Sequence, residues 1–316
     1  MIGIKAIASY VPPNFIDNIE QALAFGESEE FIKNKIGAIR LSRKEDNQET
    51  SDLAVLAVQA LFDKCPELEK SAIDAIVVVT QNPDGEGLPH TAAILQKKLG
   101  LPVTVAAFDV SLGCSGYVYG LFILKGFLEA SGLSNGILVT ADPYSKIVAS
   151  DDRITSLLFG DASTATWLGK SPLWCLDAVS YGTDGSGADY LKAEQGRLQM
   201  NGRHVFNFAT IQVAPHINQL LERENLSPAD IDLFCLHQGS AAILDAIAKH
   251  FGDFAERFVK DMTNTGNTVS SSIPLLLEKR AFHGELNRIL ISGFGVGFSW
   301  ATAIISKSHK EEAHDE

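Results

Sequence analysis

The strongest constraint on the fold is an alternation of strand-like and helix-like segments that runs through the middle of the chain and then starts again. Residues 73–79 read as a buried strand, 90–99 as a helix, 103–108 as a strand, 115–130 as a long helix and 137–140 as a further strand. That order points to an α/β protein with a mostly buried sheet. Leu226-Ser227-Pro228-Ala229-Asp230-Ile231-Asp232 then leads into a strand at 233–236 much as Leu68-Glu69-Lys70-Ser71-Ala72-Ile73-Asp74 leads into 75–79. A helix at 240–251, a strand at 258–262, a helix at 269–280 and a strand at 288–292 follow. The chain reads as two copies of one unit.

Open α/β sheets bind ligands where central strands end and helices begin. Three such breaks carry reactive or polar side chains. An apolar run stops at Gly113, and Cys114 stands immediately before a helix-like run. Unpaired N–H groups and the positive end of the helix dipole favour a thiolate there, so a lowered thiol pKa and a nucleophilic role are expected. Free cysteine is also among the most buried residue types, and at this point a packing role stays open. In the second copy His237-Gln238 follows the first strand, and Asn264-Thr265-Gly266-Asn267-Thr268 occupies the break that corresponds to Cys114. A strand-end histidine can equally be a hydrogen-bonded structural residue, and Gly-Asn pairs form turns. His204, His216, His250, His283, His309 and His314 lie in polar or helical-surface contexts and are assigned no role.

Composition removes several function classes. The 26 basic and 39 acidic residues leave a net charge of −13, which offers no global attraction to nucleic acid or an anionic membrane. No apolar stretch reaches about 18 residues, and Met1–Ala8 lacks the charged region and cleavage site of a signal peptide, so a soluble cytoplasmic protein is expected. Cys65, Cys114, Cys175 and Cys235 show no metal-ligand spacing and suit a reducing compartment. Gly293-Phe294-Gly295-Val296-Gly297-Phe298 matches a dinucleotide fingerprint only loosely, with no acidic residue about 20 positions on to hold a ribose. Such a loop can instead bring a backbone N–H close to a reacting oxygen. The polar tail from Ser306 to Glu316 reads as frayed.

Taken together, Asp109-Val110-Ser111-Leu112-Gly113-Cys114-Ser115-Gly116, Phe159-Gly160-Asp161-Ala162-Ser163, Met200-Asn201-Gly202-Arg203-His204-Val205-Phe206, His237-Gln238, Gly266-Asn267-Thr268 and residues 293–300 resemble the β-ketoacyl-ACP synthase III family of the thiolase superfamily. The resemblance spans nearly the whole chain. It implies a thiolase-like α/β fold in which two similar halves, 1–170 with Cys114 and 171–316 with His237 and Asn267, form an α-β-α-β-α layered sandwich, and it implies a homodimer. In such a protein Cys114 takes an acyl group from acyl-CoA. His237 and Asn267 hold a malonyl thioester (malonyl-ACP), whose decarboxylation gives the enolate that attacks the acyl group. Backbone N–H groups of Cys114 and Val296 hold the oxyanion, and no metal or other cofactor is implied.

The resemblance extends to the substrate channel. It assigns Phe31, Lys35, Arg153 and Gly202 to CoA binding, with Lys35 in place of a usual arginine and so without its fork of donors. It assigns Tyr144, Phe159, Leu198 and, across the dimer, Leu88 of the partner subunit to the acyl pocket, where the bulk of Tyr144 and Phe159 favours short or branched acyl groups. The chain departs from the family where Val296 interrupts three consecutive glycines, a β-branched residue that restricts φ. It departs again where His-Gln-Ala-Asn-x-Arg becomes His237-Gln238-Gly239-Ser240-Ala241-Ala242, and where Asn207 replaces a lysine. Two basic contacts for an acidic acyl carrier protein are thereby gone, although Lys249 and His250 remain nearby. Docking of a carrier is expected but weakened. The alternative is a related acyltransferase that passes the Cys114 acyl group to a hydroxyl, amine or thiol in a specialised pathway.

Overall fold

The computed structural model describes residues 1–282 and 285–308. His283, His309, His314 and the end of the polar tail lie outside the described residues. The chain runs β1 (Ile2–Tyr10), β2 (Asn14–Asp17), α1 (Asn18–Ala24), α2 (Glu29–Phe31), β3 (Arg40–Arg43), α3 (Thr50–Lys64), β4 (Ala75–Val79), α4 (Thr91–Leu99) and β5 (Ala106–Val110). Next come α5 (Gly116–Ala130), β6 (Asn135–Ala141), α6 (Arg153–Ser156), β7 (Ser163–Lys170), β8 (Trp174–Thr183), β9 (Leu191–Glu194), β10 (Arg197–Met200) and α7 (Gly202–Arg223). β11 (Leu233–Leu236), α8 (Ala241–Ala248), α9 (Ser272–Arg280), β12 (Arg288–Gly295) and β13 (Ser299–Lys307) complete it.

Nine strands are hydrogen-bonded in the order β11-β12-β13-β8-β1-β7-β6-β4-β5. β1 and β8 meet over only two residue pairs, Gly3 with Cys175 and Ile4 with Trp174. Outward from that narrow join the order is β1-β7-β6-β4-β5 on one side and β8-β13-β12-β11 on the other. On each side the strand next to the join is antiparallel to its neighbour, and the far strands are parallel. The repeat in the sequence is thus a repeat in topology.

Three apolar clusters show why the strands read as continuous hydrophobic runs. Both faces of the sheet are covered, so alternation is lost. α3 and α4 pack Leu61, Leu95 and Leu99 against Ile76 and Val78. On the opposite face α5 and α9 bring Leu121, Leu124, Ile273 and Leu277 against strands from both sides of the join, including Val77, Leu138, Ile289 and Ala303. α7 and α8 cover the remaining face with Ile217, Leu220 and Leu244 against Phe234 and Leu290. The result is five layers, helix-sheet-helix-sheet-helix. Each fully buried leucine or isoleucine in them contributes about 1.5–3 kcal/mol. α5 lies unusually close to the sheet because Gly116 has no side chain. A Cβ there would meet Val79 Cγ1 at 2.4 Å.

Four details depart from the expected elements. Residues 258–262 form no strand; only Phe258 bridges Phe234. The side chain of Gln238 takes the backbone groups that a strand would offer, with Nε2 donating to Val259 O at 3.1 Å and Oε1 accepting from Asp261 N at 2.9 Å. The helix expected to reach Phe251 stops at Ala248 and continues as 3-10 turns to Arg257, kinked at Gly252. The strand expected at 103–108 is shifted to Ala106–Val110. The tail expected to fray from Ser306 instead continues β13 to Lys307, paired with Cys175 and Trp174 of β8.

Candidate active site

Cys114, His237 and Asn267 come from three separate loops and line one cavity of about 200 Å³. All three are nearly buried, at 5%, 3% and 4% exposure. Cys114 lies in the short loop after β5, two positions before α5, with Ser115 as the residue between. Backbone N–H groups of Cys114 and Val296 both face its sulfur. Gly295 is what allows the second approach: a Cβ there would lie 2.7 Å from Cys114 Sγ. The expected lowering of the thiol pKa is overturned. Burial, with Asp142 adding to it, pushes the Cys114 thiol up to about 12, and the two N–H groups only partly oppose this. The first turn of α5 does not outweigh removal from water.

His237 follows β11, and its ring stands edge-on to Phe294 with centroids 5.6 Å apart. Nδ1 is 2.8 Å from Ser272 Oγ. Burial pushes its pKa down to about 3, so the imidazole is neutral at physiological pH. Asn267 is anchored through its backbone, its N–H donating to Leu158 O at 2.9 Å and its O accepting from Gly160 N at 3.0 Å. Its Oδ1 accepts from Val269 N at 2.9 Å, and its Nδ2 donates one proton to Gly239 O at a long 3.5 Å, which leaves the second amide N–H for a substrate. Val269 is at φ 53, a left-handed conformation that a β-branched residue rarely adopts. Strain of this kind costs about 1–3 kcal/mol and concentrates at sites where surrounding structure enforces it. Here it aims a backbone N–H at the Asn267 amide.

Of the other residues singled out in the sequence, Phe31, Arg153, Gly202, Tyr144 and Phe159 also line the cavity. Tyr144 and Phe159 pack with ring centroids 4.8 Å apart, and the Tyr144 hydroxyl donates to Gln81 Oε1 at 3.1 Å. Leu198 and Val296 pack in the same apolar cluster as Cys114 rather than on the cavity wall. Lys35 is exposed on the turn Ile32–Ile36 and does not line the cavity. Leu88 is 93% exposed, so within its own chain it reaches no pocket. Arg153 at the mouth is paired with Glu27. His216, expected on a helix surface, is instead buried and bonded to Thr302 Oγ1 and Ser180 Oγ, both at 3.0 Å.

A sequence profile described as 3-Oxoacyl-[acyl-carrier-protein (ACP)] synthase III matches residues 108–195, and its C-terminal counterpart matches 221–307. A beta-ketoacyl-[acyl-carrier-protein] synthase III of Lactococcus lactis is 32% identical, covering 96% of this chain and 98% of that protein. The chain belongs to the 3-oxoacyl-ACP synthase III family. The synthase III of Staphylococcus epidermidis is 34% identical over 96% of this chain and 98% of its own length. The crystal structure of the Thermus thermophilus synthase III superposes with a TM-score of 0.89 at 32% identity, covering 98% of this chain and 100% of that one.

For a synthase III chain, sequence reasoning missed much of the channel wall: Ile154, Leu158, Met200, Phe208 and Ile243 all line it. Their apolar spacing reads equally well as core, so no signal separates them. Gly160 enters the sequence reading only as part of the Phe159–Ser163 motif, with no role of its own. A Cβ at that position would lie 1.8 Å from the Thr265 carbonyl oxygen, in the loop that carries Asn267. Gly160→Ala is expected to destabilise this synthase III by about 3 kcal/mol, the upper range for overpacking, with condensing activity lost alongside. Chemical denaturation measures the first effect; an unchanged midpoint would contradict it.

Proposed function

We propose that this member of the synthase III family catalyses decarboxylative condensation between an acyl-CoA and a malonyl thioester, malonyl-ACP, giving a 3-oxoacyl product. In the first step Cys114 sulfur bonds to the acyl carbon, the bond to the CoA sulfur breaks, and the thiol proton ends on the departing CoA. Thioester exchange is nearly isoenergetic, so the enzyme needs only to lower the barrier. In the second step the carboxylate of the malonyl group leaves as CO2 and its electron pair becomes an enolate, whose oxygen meets Asn267 Nδ2–H and His237. One well-placed donor of this kind lowers the barrier by about 2.7–4 kcal/mol. The enolate carbon attacks acyl-Cys114, the N–H groups of Cys114 and Val296 receive the oxyanion, and collapse expels the Cys114 thiolate, which takes a proton from solvent. The participants needed are the two thioesters alone.

The observation that carries this reading is the convergence of a sulfur facing two backbone N–H groups with a neutral imidazole and the Asn267 amide donor, in one apolar cavity. Incubation with a panel of acyl-CoAs, followed by intact-mass measurement and by CO2 release from malonyl-ACP, tests it. Transfer of the acyl group to a hydroxyl, amine or thiol with no CO2 release would favour the acyltransferase alternative. That alternative draws support from the carrier-facing surface, where exposed Asn207 on α7 and half-buried Ala242 on α8 leave Arg203, Lys249 and His250 as the nearby bases. Tyr144→Ala and Phe159→Ala are expected to raise the kcat/KM ratio of a longer acyl-CoA over acetyl-CoA by about tenfold, within the range that pocket methylenes discriminate. Initial rates across the panel check it.

Phe31, Arg153 and Gly202 are proposed to receive CoA, with Lys35 as a peripheral charge near its nucleotide end. The halves 1–170 and 171–316 are proposed as the two thiolase-like units, a division supported by the short β1–β8 join. A homodimer is supported by β5, whose five residues are all half-buried and which pairs with β4 on one edge only among the described residues. Such an edge calls for cover. Exposed Leu88 would then be offered to the partner's acyl pocket. No helix among the described residues is long and apolar enough to cross a membrane. With four free cysteines, this supports a cytoplasmic enzyme.

A further inference from the structure

Ser272 opens α9, is 3% exposed and touches the ring of His237. Its Oγ has three hydrogen-bond neighbours: His237 Nδ1 at 2.8 Å, the Gln238 N–H at 3.3 Å and the Val269 carbonyl at 3.0 Å. A hydroxyl has one proton and two acceptor sites. The Gln238 N–H uses an acceptor site, so the single proton goes either to Val269 O or to His237 Nδ1. The Val269 carbonyl already accepts the backbone N–H of Ser272. Nδ1 makes its close hydrogen bond to Ser272, with the Val269 carbonyl as a second, weaker neighbour of the ring.

Where that proton sits decides what His237 presents to substrate. The ring is neutral and therefore has one N–H. With the Ser272 proton given to Nδ1, the N–H is on Nε2 and meets the thioester oxygen as a donor. With the N–H on Nδ1, an arrangement that the Val269 carbonyl favours, Nε2 presents a lone pair and repels a developing oxyanion. We propose that Ser272 is a positioning residue that sets the His237 tautomer, donating its hydroxyl proton to Nδ1 so that Nε2–H faces the malonyl thioester. This rests on the roles proposed above for Cys114, His237 and Asn267. One short segment then orients both donors: Val269 N–H fixes the Asn267 amide and Ser272 O–H fixes the His237 ring.

The test compares Ser272→Ala and Ser272→Thr with the parent enzyme in three measurements. CO2 release from malonyl-ACP should fall about 10²-fold in Ser272→Ala, as when one oxyanion donor is removed, and stay near the parental rate in Ser272→Thr, which keeps the hydroxyl. Acylation of Cys114, followed by intact mass, should change little in either variant. ¹⁵N spectra of histidine-labelled protein bound to a malonyl-CoA analogue with an amide in place of the thioester should show His237 as the Nε2–H tautomer in the parent and Nδ1–H in Ser272→Ala, with His237→Gln giving the assignment. An Nδ1–H ring in the ligand-bound parent overturns the proposal. So does an equal fall of acylation and CO2 release in both variants, which marks Ser272 as merely structural. If Ser272→Ala does not fold, the parent spectrum and Ser272→Thr still decide. A parent enzyme that releases no CO2 defeats the condensing reading instead, and the spectra remain an independent readout.

Discussion

Cys114→Ser is expected to fold, to bind acyl-CoA and to acquire no acyl mass. Oxygen replaces sulfur at a buried position where two backbone N–H groups can still be satisfied, so the fold loses little. What is lost is the nucleophile. A serine hydroxyl is far less acidic than a thiol, and no side chain observed to hydrogen-bond Cys114 stands ready to take its proton. Condensation is expected to fall by at least about 10⁴-fold, the scale seen when a covalent nucleophile is removed. Intact-mass spectra after exposure to acyl-CoA, with thermal denaturation as the control, measure both halves of the statement. Labelling at the parental rate in Cys114→Ser would move the covalent step to another residue.

Asn267→Ala is expected to separate the two half-reactions. The amide donates to no acyl group on Cys114 in the first step, so acylation continues near the parental rate. Decarboxylation should fall about 10²–10³-fold, because one of two donors to the enolate oxygen is gone. Removing Oδ1 also strips Val269 N–H of its acceptor, a loss of roughly 1 kcal/mol that denaturation would register. Asn267→Asp sharpens the test: it keeps the shape, offers no N–H, and turns a negative charge toward the forming enolate. CO2 release as low as in the alanine variant is the expected outcome. Parental decarboxylation in either variant would remove Asn267 from the second step.

Most central strands were legible because burial on both faces leaves unbroken apolar runs; Ala75–Val79 and Leu233–Leu236 fall where the sequence places them. The segment 258–262 misled because its apolar residues, Phe258 and Met262, are anchors. Phe258 stacks on Phe234 at 4.3 Å, while a glutamine from elsewhere takes the ladder's hydrogen bonds. The position of Cys114 was readable, but its protonation was not. A helix start is local, whereas the apolar burial that raises the thiol is assembled by α7 and by loops more than a hundred residues away. His216 failed for the same reason, since its partners Thr302 and Ser180 are brought to it only by β13 and β8. Ser272 carried no signal, because a serine at a helix start reads as a cap until the fold sets it against a histidine.

The raised thiol of Cys114 bears on how the enzyme survives between turnovers. Burial pushes the thiol pKa up to about 12, so near neutral pH the resting sulfur is held as the neutral thiol. Peroxides and alkylating agents consume thiolates, so a nucleophile held as the neutral thiol inside an apolar pocket resists conversion to sulfenic and sulfinic acids. Durability in an oxidising burst and patience without substrate are properties of the same buried sulfur.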